Sequence, residues 1–222
     1  IVECLLDESL RDTAQGTDFI AALGEKGADV AWASERVMRS VSTLETAPLI
    51  VAVVKRAASG PQDLLAASPQ LVVVGEDIQD PGNVGAIIRT CSAAGFPAVV
   101  LCGASADCYN PKVVRAAAGA ILRCMVVRHP DTTEIVALLK AAGYRIMATV
   151  NTGGVDYFEV SMLRPTAVLL GNEGKGLKET TLALADVLVH IPLSPGVESL
   201  NVAACCAILL YEAVRQRRSK TS

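Results

Sequence analysis

Three glycine-bearing loops hold the residues whose types and spacing could do chemistry. The first, DPGNVGAIIRT (80–90), leads from an apolar strand into a helix. Asn83 is placed to cap that helix, and Val84, Ile87, Ile88 and Cys91 share one side of it. Arg89 is the outlier beside that stripe. Taken alone, it reaches solvent or a carboxylate, or it grips an anion with its planar fork of donors. The second loop, LGNEGKGL (170–177), has glycines at 171, 174 and 176 after a buried strand, so a ligand can approach its backbone closely. It is neither a dinucleotide fingerprint nor a phosphate P-loop: the spacing is not G-x-G-x-x-G, and Gly174-Lys175 lacks both the earlier glycine and the following Ser or Thr. The third, IPLSPGVESLNV (191–202), is stiffened by two prolines and opens a long apolar helix. Ser199 reads there as the N-cap, and Asn201 can do the same job.

Such loops need a scaffold, and the apolar pattern supplies one. Short Val, Leu and Ile strands are expected at 71–75, 98–102, 122–127, 144–149, 167–170 and 187–191. Helical spacing lies between them at 84–94, 111–118, 132–142 and 177–185, with a final helix at 200–217. Continuous apolar strands separated by helices predict a parallel sheet covered on both faces. Ligands then bind outside the carboxyl ends of the strands. Residues 1–56 read as a separate small α/β unit, helix-like at 1–6 and 35–42, with a strand at 49–54. The stretch AASGPQDLLAASP (57–69) is the expected linker, leaving 70–222 as the second domain.

Composition excludes several classes. A chain of 222 residues that is 51% hydrophobic and carries a net charge of −3 is not disordered. Its longest apolar run, 202–211, is half the ~20 residues a membrane helix needs. No basic segment followed by an apolar one opens the sequence, so no secretory signal is expected. The opening at Ile1 without a Met leads us to expect a missing upstream piece. Seven cysteines without a CxxC, and only two histidines, argue against disulfides and metal sites and for reduced thiols in the cytoplasm. Nine acidic against six basic side chains in residues 1–60 leave the remainder balanced. A polyanion would have to be gripped locally, by Lys112, Arg115, Arg123 and Arg128 or by the tail cluster Arg215, Arg217, Arg218 and Lys220.

Taken together, the three loops resemble the three motifs of the SpoU/TrmH branch of the SPOUT superfamily, RNA ribose 2′-O-methyltransferases. DPGNVGAIIRTCSAAGF (80–96), LLGNEGKGL (169–177) and IPLSPGVESLNVAACCAILLYEAVRQR (191–217) carry the likeness, with NPKVVRAAAGA (110–120) between the first two. Residues 1–56 are similar, through LETAPLIVAVVKR (44–56), to the small RNA-binding domain that often precedes this fold. The resemblance implies an α/β parallel sheet with a C-terminal trefoil knot, against the usual rule that chains do not thread loops. It implies a homodimer whose active site draws on both subunits, with S-adenosylmethionine as cofactor and RNA as substrate, ribosomal RNA being favoured and transfer RNA the alternative.

By matching position, Gly171, Asn172, Glu173, Ile191, Pro192 and Leu200 would hold the cofactor. Asn83, Arg89, Glu173, Ser199 and Asn201 would form the catalytic and RNA-facing set, with Lys112 and Arg115 on the RNA. Arg89 would orient the ribose and stabilise the developing alkoxide, or act as base if its site removes the proton. Ala117 and Ala203 stand where relatives usually carry Ser. The competing readings are a knotted RNA-binding protein without catalysis and a nucleotide-dependent oxidoreductase. The first is opposed by Arg89 and the intact second loop, the second by the missing glycine fingerprint.

Overall fold

The computed structural model describes residues 1–42, 44–56 and 59–219. The chain divides into two compact units, Ile1–Ala58 and Ser59–Ser222. The smaller contains β1 (Glu3–Asp7), α1 (Ala14–Gly24), β2 (Asp29–Ala33), α2 (Glu35–Val41) and β3 (Ile50–Val53). Its sheet order is β2-β1-β3, with β1 parallel to β2 and antiparallel to β3. Residues 1–6, expected to be helical, are therefore mostly strand. Alternation decides it: Cys4 and Leu6 are buried while Glu3 faces water, a period of two that a short apolar run hides.

The larger unit runs α3 (Pro61–Ala67), β4 (Leu71–Glu76), α4 (Pro81–Ala93), β5 (Ala98–Cys102), α5 (Pro111–Ala116), β6 (Met125–His129), α6 (Thr132–Ala141) and β7 (Arg145–Thr149). There follow β8 (Val155–Asp156), β9 (Thr166–Leu170), α7 (Glu179–Leu182), β10 (Val187–His190) and α8 (Val202–Arg218). Seven strands make one parallel sheet in the order β6-β5-β4-β9-β7-β10-β8. Every residue of β4, β5 and β9 is buried, as a sheet covered on both faces requires. Residues of α4, α5 and α8 join the apolar cluster on one face, and those of α3, α6 and α7 the cluster on the other.

Several boundaries differ from the expectation, each for a local reason. Most of the expected linker is α3, anchored by Leu64 in the core; positions 57 and 58 lie outside the described residues. A 3-10 turn at Ala120–Leu122 delays β6 to Met125. The helix expected at 177–185 shrinks to α7, because Leu177 still belongs to the glycine loop. The tail cluster is largely occupied. Arg215 pairs with Glu212 at 2.7 Å, and Arg217 donates to the carbonyls of Gln70, Met162 and Arg164 while stacking on Phe96. Lys220 lies outside the described residues. Ala117 and Ala203 are both buried in the main apolar cluster, where a serine hydroxyl would need a partner.

The approach of α4 to α5 turns on one glycine. A Cβ at Gly85 would lie 2.5 Å from Ala116 Cβ and 2.7 Å from the Val113 carbonyl oxygen. Gly85→Ala is expected to destabilise the larger unit by about 1–3 kcal/mol, the usual cost of overpacking, in denaturant unfolding. Unchanged stability would mean that the two helices separate freely.

Candidate active site

The first loop is capped by Asp80, whose Oδ1 accepts from the Asn83 N–H at 2.8 Å; Pro81 fills the first helical position. The expected cap, Asn83, sits too far along the helix for that. Its side chain instead turns outward and bridges the other two loops. Asn83 Nδ2 donates to Glu173 Oε1 at 2.8 Å, and Asn83 Oδ1 accepts from Asn201 Nδ2 at 2.8 Å. One carboxylate at one end fixes which way each amide faces. Asn201 is also the true cap of α8: its Oδ1 accepts from the Ala203 N–H at 2.9 Å and from that of Ala204 at 3.4 Å. Ser199, the cap first suggested by the sequence, lies outside the helix, which starts at Val202.

The second loop closes on itself. Asn172 and Gly176 exchange backbone hydrogen bonds at 3.0 and 2.9 Å, and Asn172 Oδ1 accepts from the N–H groups of Gly174 and Lys175. Asn172 Nδ2 crosses to the Asp77 carbonyl at 2.9 Å. A Cβ at Gly171 would overlap the backbone of Gly176 and Leu177. The glycine is therefore demanded by the loop's own fold, so a side chain there breaks the loop before it meets any ligand.

Beside this loop lies a cavity of about 290 Å³ at the carboxyl ends of β7, β9 and β10. Of the expected cofactor residues, Gly171, Asn172, Glu173, Ile191 and Leu200 line it, together with Ser199. Pro192 does not; it is exposed on the third loop. Sequence reasoning missed the segment Thr149–Thr152, which lines the cavity where β7 ends between β9 and β10. The signal was its place after an apolar strand, and the two glycines at 153 and 154 that follow it. Leu170, Val189 and Leu209 add apolar wall.

Arg89 is not part of this cavity. It is exposed on α4, roughly 240° around the helix from Asn83 at 100° per residue, and makes no hydrogen bond or ion pair among the described residues. It lies one turn beyond Gly85, on the side where α5 approaches. Lys112 and Arg115 of α5 are exposed too, with no ion pair among the described residues. Arg128, by contrast, donates to the Ser105 carbonyl at 3.2 Å. The seven cysteines form no disulfide among the described residues, and burial pushes the Cys102 thiol up to about 12. No cluster of three metal-ligating side chains exists among the described residues.

This geometry can be set beside known proteins. The SpoU rRNA Methylase family matches residues 70–211. The 23S rRNA (guanosine(2553)-2′-O)-methyltransferase of Bacillus subtilis is 36% identical over 187 residues, covering 84% of this chain and 73% of its own. The tRNA (guanosine(18)-2′-O)-methyltransferase of Escherichia coli is 39% identical over 152 residues, 68% of this chain and 66% of its own. The crystal structure of the SpoU methyltransferase AviRb from Streptomyces viridochromogenes, in complex with AdoMet, matches with a TM-score of 0.86 at 30% identity, covering 98% of this chain and 83% of that one. Two motif loops line one cavity, the third is tied to both through Asn83, and the family model covers most of the chain: it belongs to the SpoU rRNA Methylase family.

Proposed function

We propose that this protein is an S-adenosylmethionine-dependent methyltransferase acting on a ribose 2′-hydroxyl of RNA, ribosomal RNA in particular. The observation that carries this reading is the hydrogen-bonded joining of Asn83, Glu173 and Asn201, one residue from each motif, at the rim of a cavity beyond the strand ends. Ribosomal RNA is favoured because two relatives whose match extends beyond the larger unit, over 84% and 86% of the chain, are both 23S rRNA methyltransferases. The smaller unit then serves to capture the substrate.

The cavity suits the cofactor. Leu170, Val189, Leu200 and Leu209 offer apolar surface to a purine, and the glycine loop leaves its backbone open to close approach. Gly171, Asn172, Glu173, Ile191 and Leu200 would hold it, together with Thr149–Thr152. When bound, it supplies a methyl group already activated by a positively charged sulfur, so the protein's share is alignment and control of a proton. Arg89 gives that control: its guanidinium stabilises the 2′-oxygen as the hydroxyl passes its proton to solvent water, and its fork holds the adjacent phosphate. Ser199 and Asn201 position the ribose, while Lys112 and Arg115 follow the RNA backbone.

Arg89 stands away from the cavity of its own chain, which supports a homodimer in which it completes the partner's site. A trefoil knot at the carboxyl end is the companion inference. It is supported by the insertion of β9 between β4 and β7, and by the return of α8 onto α4. Gln216 near the end of α8 then binds the Val160 carbonyl and the Met162 N–H. No helix among the described residues is long and apolar enough to cross a membrane, and the working site is taken to be the cytoplasm.

Two outcomes test these roles. Arg89→Ala is expected to lower single-turnover methyl transfer by ~10²–10³ with little change in cofactor affinity, and Arg89→Lys to rescue poorly. Near-normal transfer would return Arg89 to a surface role. If the site is shared, mixing inactive Arg89→Ala with inactive Glu173→Ala chains restores about a quarter of wild-type activity through mixed dimers. A mixture that stays inactive would place Arg89 in its own subunit's site or outside catalysis.

A further inference from the structure

Asp77, just past the end of β4, is held at φ +54°, a left-handed conformation uncommon for a residue with a side chain. Glycine would adopt it without strain, so the carboxylate needs a reason to be there. Its contacts give one. Asp77 Oδ1 accepts from the Ala104 N–H at 2.7 Å, and its own N–H donates to the Cys102 carbonyl. A Cβ at Gly103 would overlap that same Oδ1, so the loop after β5 is shaped to receive it. The other oxygen, Oδ2, pairs with Lys178 Nζ at 2.8 Å.

These contacts grip the glycine loop at both ends. The loop begins at Gly171-Asn172, and Asn172 Nδ2 donates to the Asp77 backbone carbonyl at 2.9 Å. It ends at Leu177-Lys178, and Lys178 is the partner of the Asp77 side chain. The preceding residue reinforces the exit: buried Glu76 accepts from the Lys178 N–H at 2.9 Å and from Thr181 Oγ1 at 2.8 Å. The first strand of the larger sheet thus presents two successive carboxylates to the segment that leaves the cavity. Lys178 keeps the Asp77 carboxyl below its ordinary range, so the pair is charged at neutral pH.

We propose that Asp77 and Lys178 form a latch that positions the glycine loop for cofactor binding, Asp77 fixing the loop's entry with its backbone and its exit with its side chain. This assignment rests on the methyltransferase reading above. It makes both residues positioning groups, with no contact to the reacting atoms. The loop's own bonds define its shape, and the latch fixes where that shape stands against the strand ends.

Asp77→Asn isolates the charge, since asparagine also tolerates the left-handed conformation and keeps an acceptor for Ala104. Lys178→Gln removes the partner. Each variant is expected to raise the S-adenosylmethionine Kd about fivefold by calorimetry, in line with a partly exposed ion pair. Turnover at saturating cofactor should fall less than affinity does, because bound cofactor returns the loop, and Glu173 with it, to its place. The double variant should be no weaker than either single one. Amides 171–178 should exchange faster in all three, while protection elsewhere is kept. Asp77→Gly, free of the backbone strain, should retain wild-type thermal stability yet bind cofactor at least as weakly as Asp77→Asn. Wild-type affinity in both single variants, or full additivity in the double, would overturn the latch. A wild-type protein that binds no S-adenosylmethionine would instead remove the methyltransferase reading, and the latch with it.

Discussion

Asn83 uses both ends of one amide to join residues 90 and 118 positions further along the chain. Glu173 accepts from it, Asn201 donates to it, and neither contact can form until β4, β9 and the start of α8 are already in place. The direction of each bond follows from the carboxylate, which only accepts when ionised. From there the order propagates. Asn201, with its nitrogen facing Asn83, has its oxygen left to cap α8. Glu173, held toward the first loop, stands within the turn that Asn172 closes. The site is thus a consequence of strand order as much as of residue type.

That strand order also explains where the cavity lies. With β9 inserted beside β4 and β10 beside β7, the glycine loop and the proline loop emerge on either side of β7 at the carboxyl ends of the strands. The chain must turn tightly there, and two glycines are required for packing rather than for ligand access. Gly171 admits the backbone of Gly176–Leu177, and Gly85 admits α5 against α4. The same economy appears in the arginines. Arg217 is consumed in holding three carbonyls, whereas Arg89 projects from the protein surface.

Much of this was legible in the residues. Unbroken apolar runs such as 71–75 and 98–102 announced a parallel sheet, because only burial on both faces accounts for the lack of alternation. The three loops stood out by glycine and proline content. Hidden were features that depend on partners distant in sequence. Asn83 read as a cap because local spacing sees only its own helix, and its bonds to Glu173 and Asn201 are long-range. Residues 1–6 read as helix because the strands pairing with β1 lie tens of residues away. Asp77 was passed over because a positive φ leaves no mark on composition. The wall at Thr149–Thr152 lacked a dense glycine motif and was overshadowed by loops that had one.

The central claim is that the Asn83–Glu173 contact acts as a unit that assembles the site, and a double-mutant cycle reads this most directly. Single-turnover methyl transfer would be measured for Asn83→Ala, Glu173→Ala and the pair. Groups that share one network are expected to be strongly non-additive, with a coupling of about 0.5–3 kcal/mol and a double variant little worse than the poorer single one. Losses that simply add would contradict the claim, leaving two independent side chains that happen to lie within hydrogen-bonding distance.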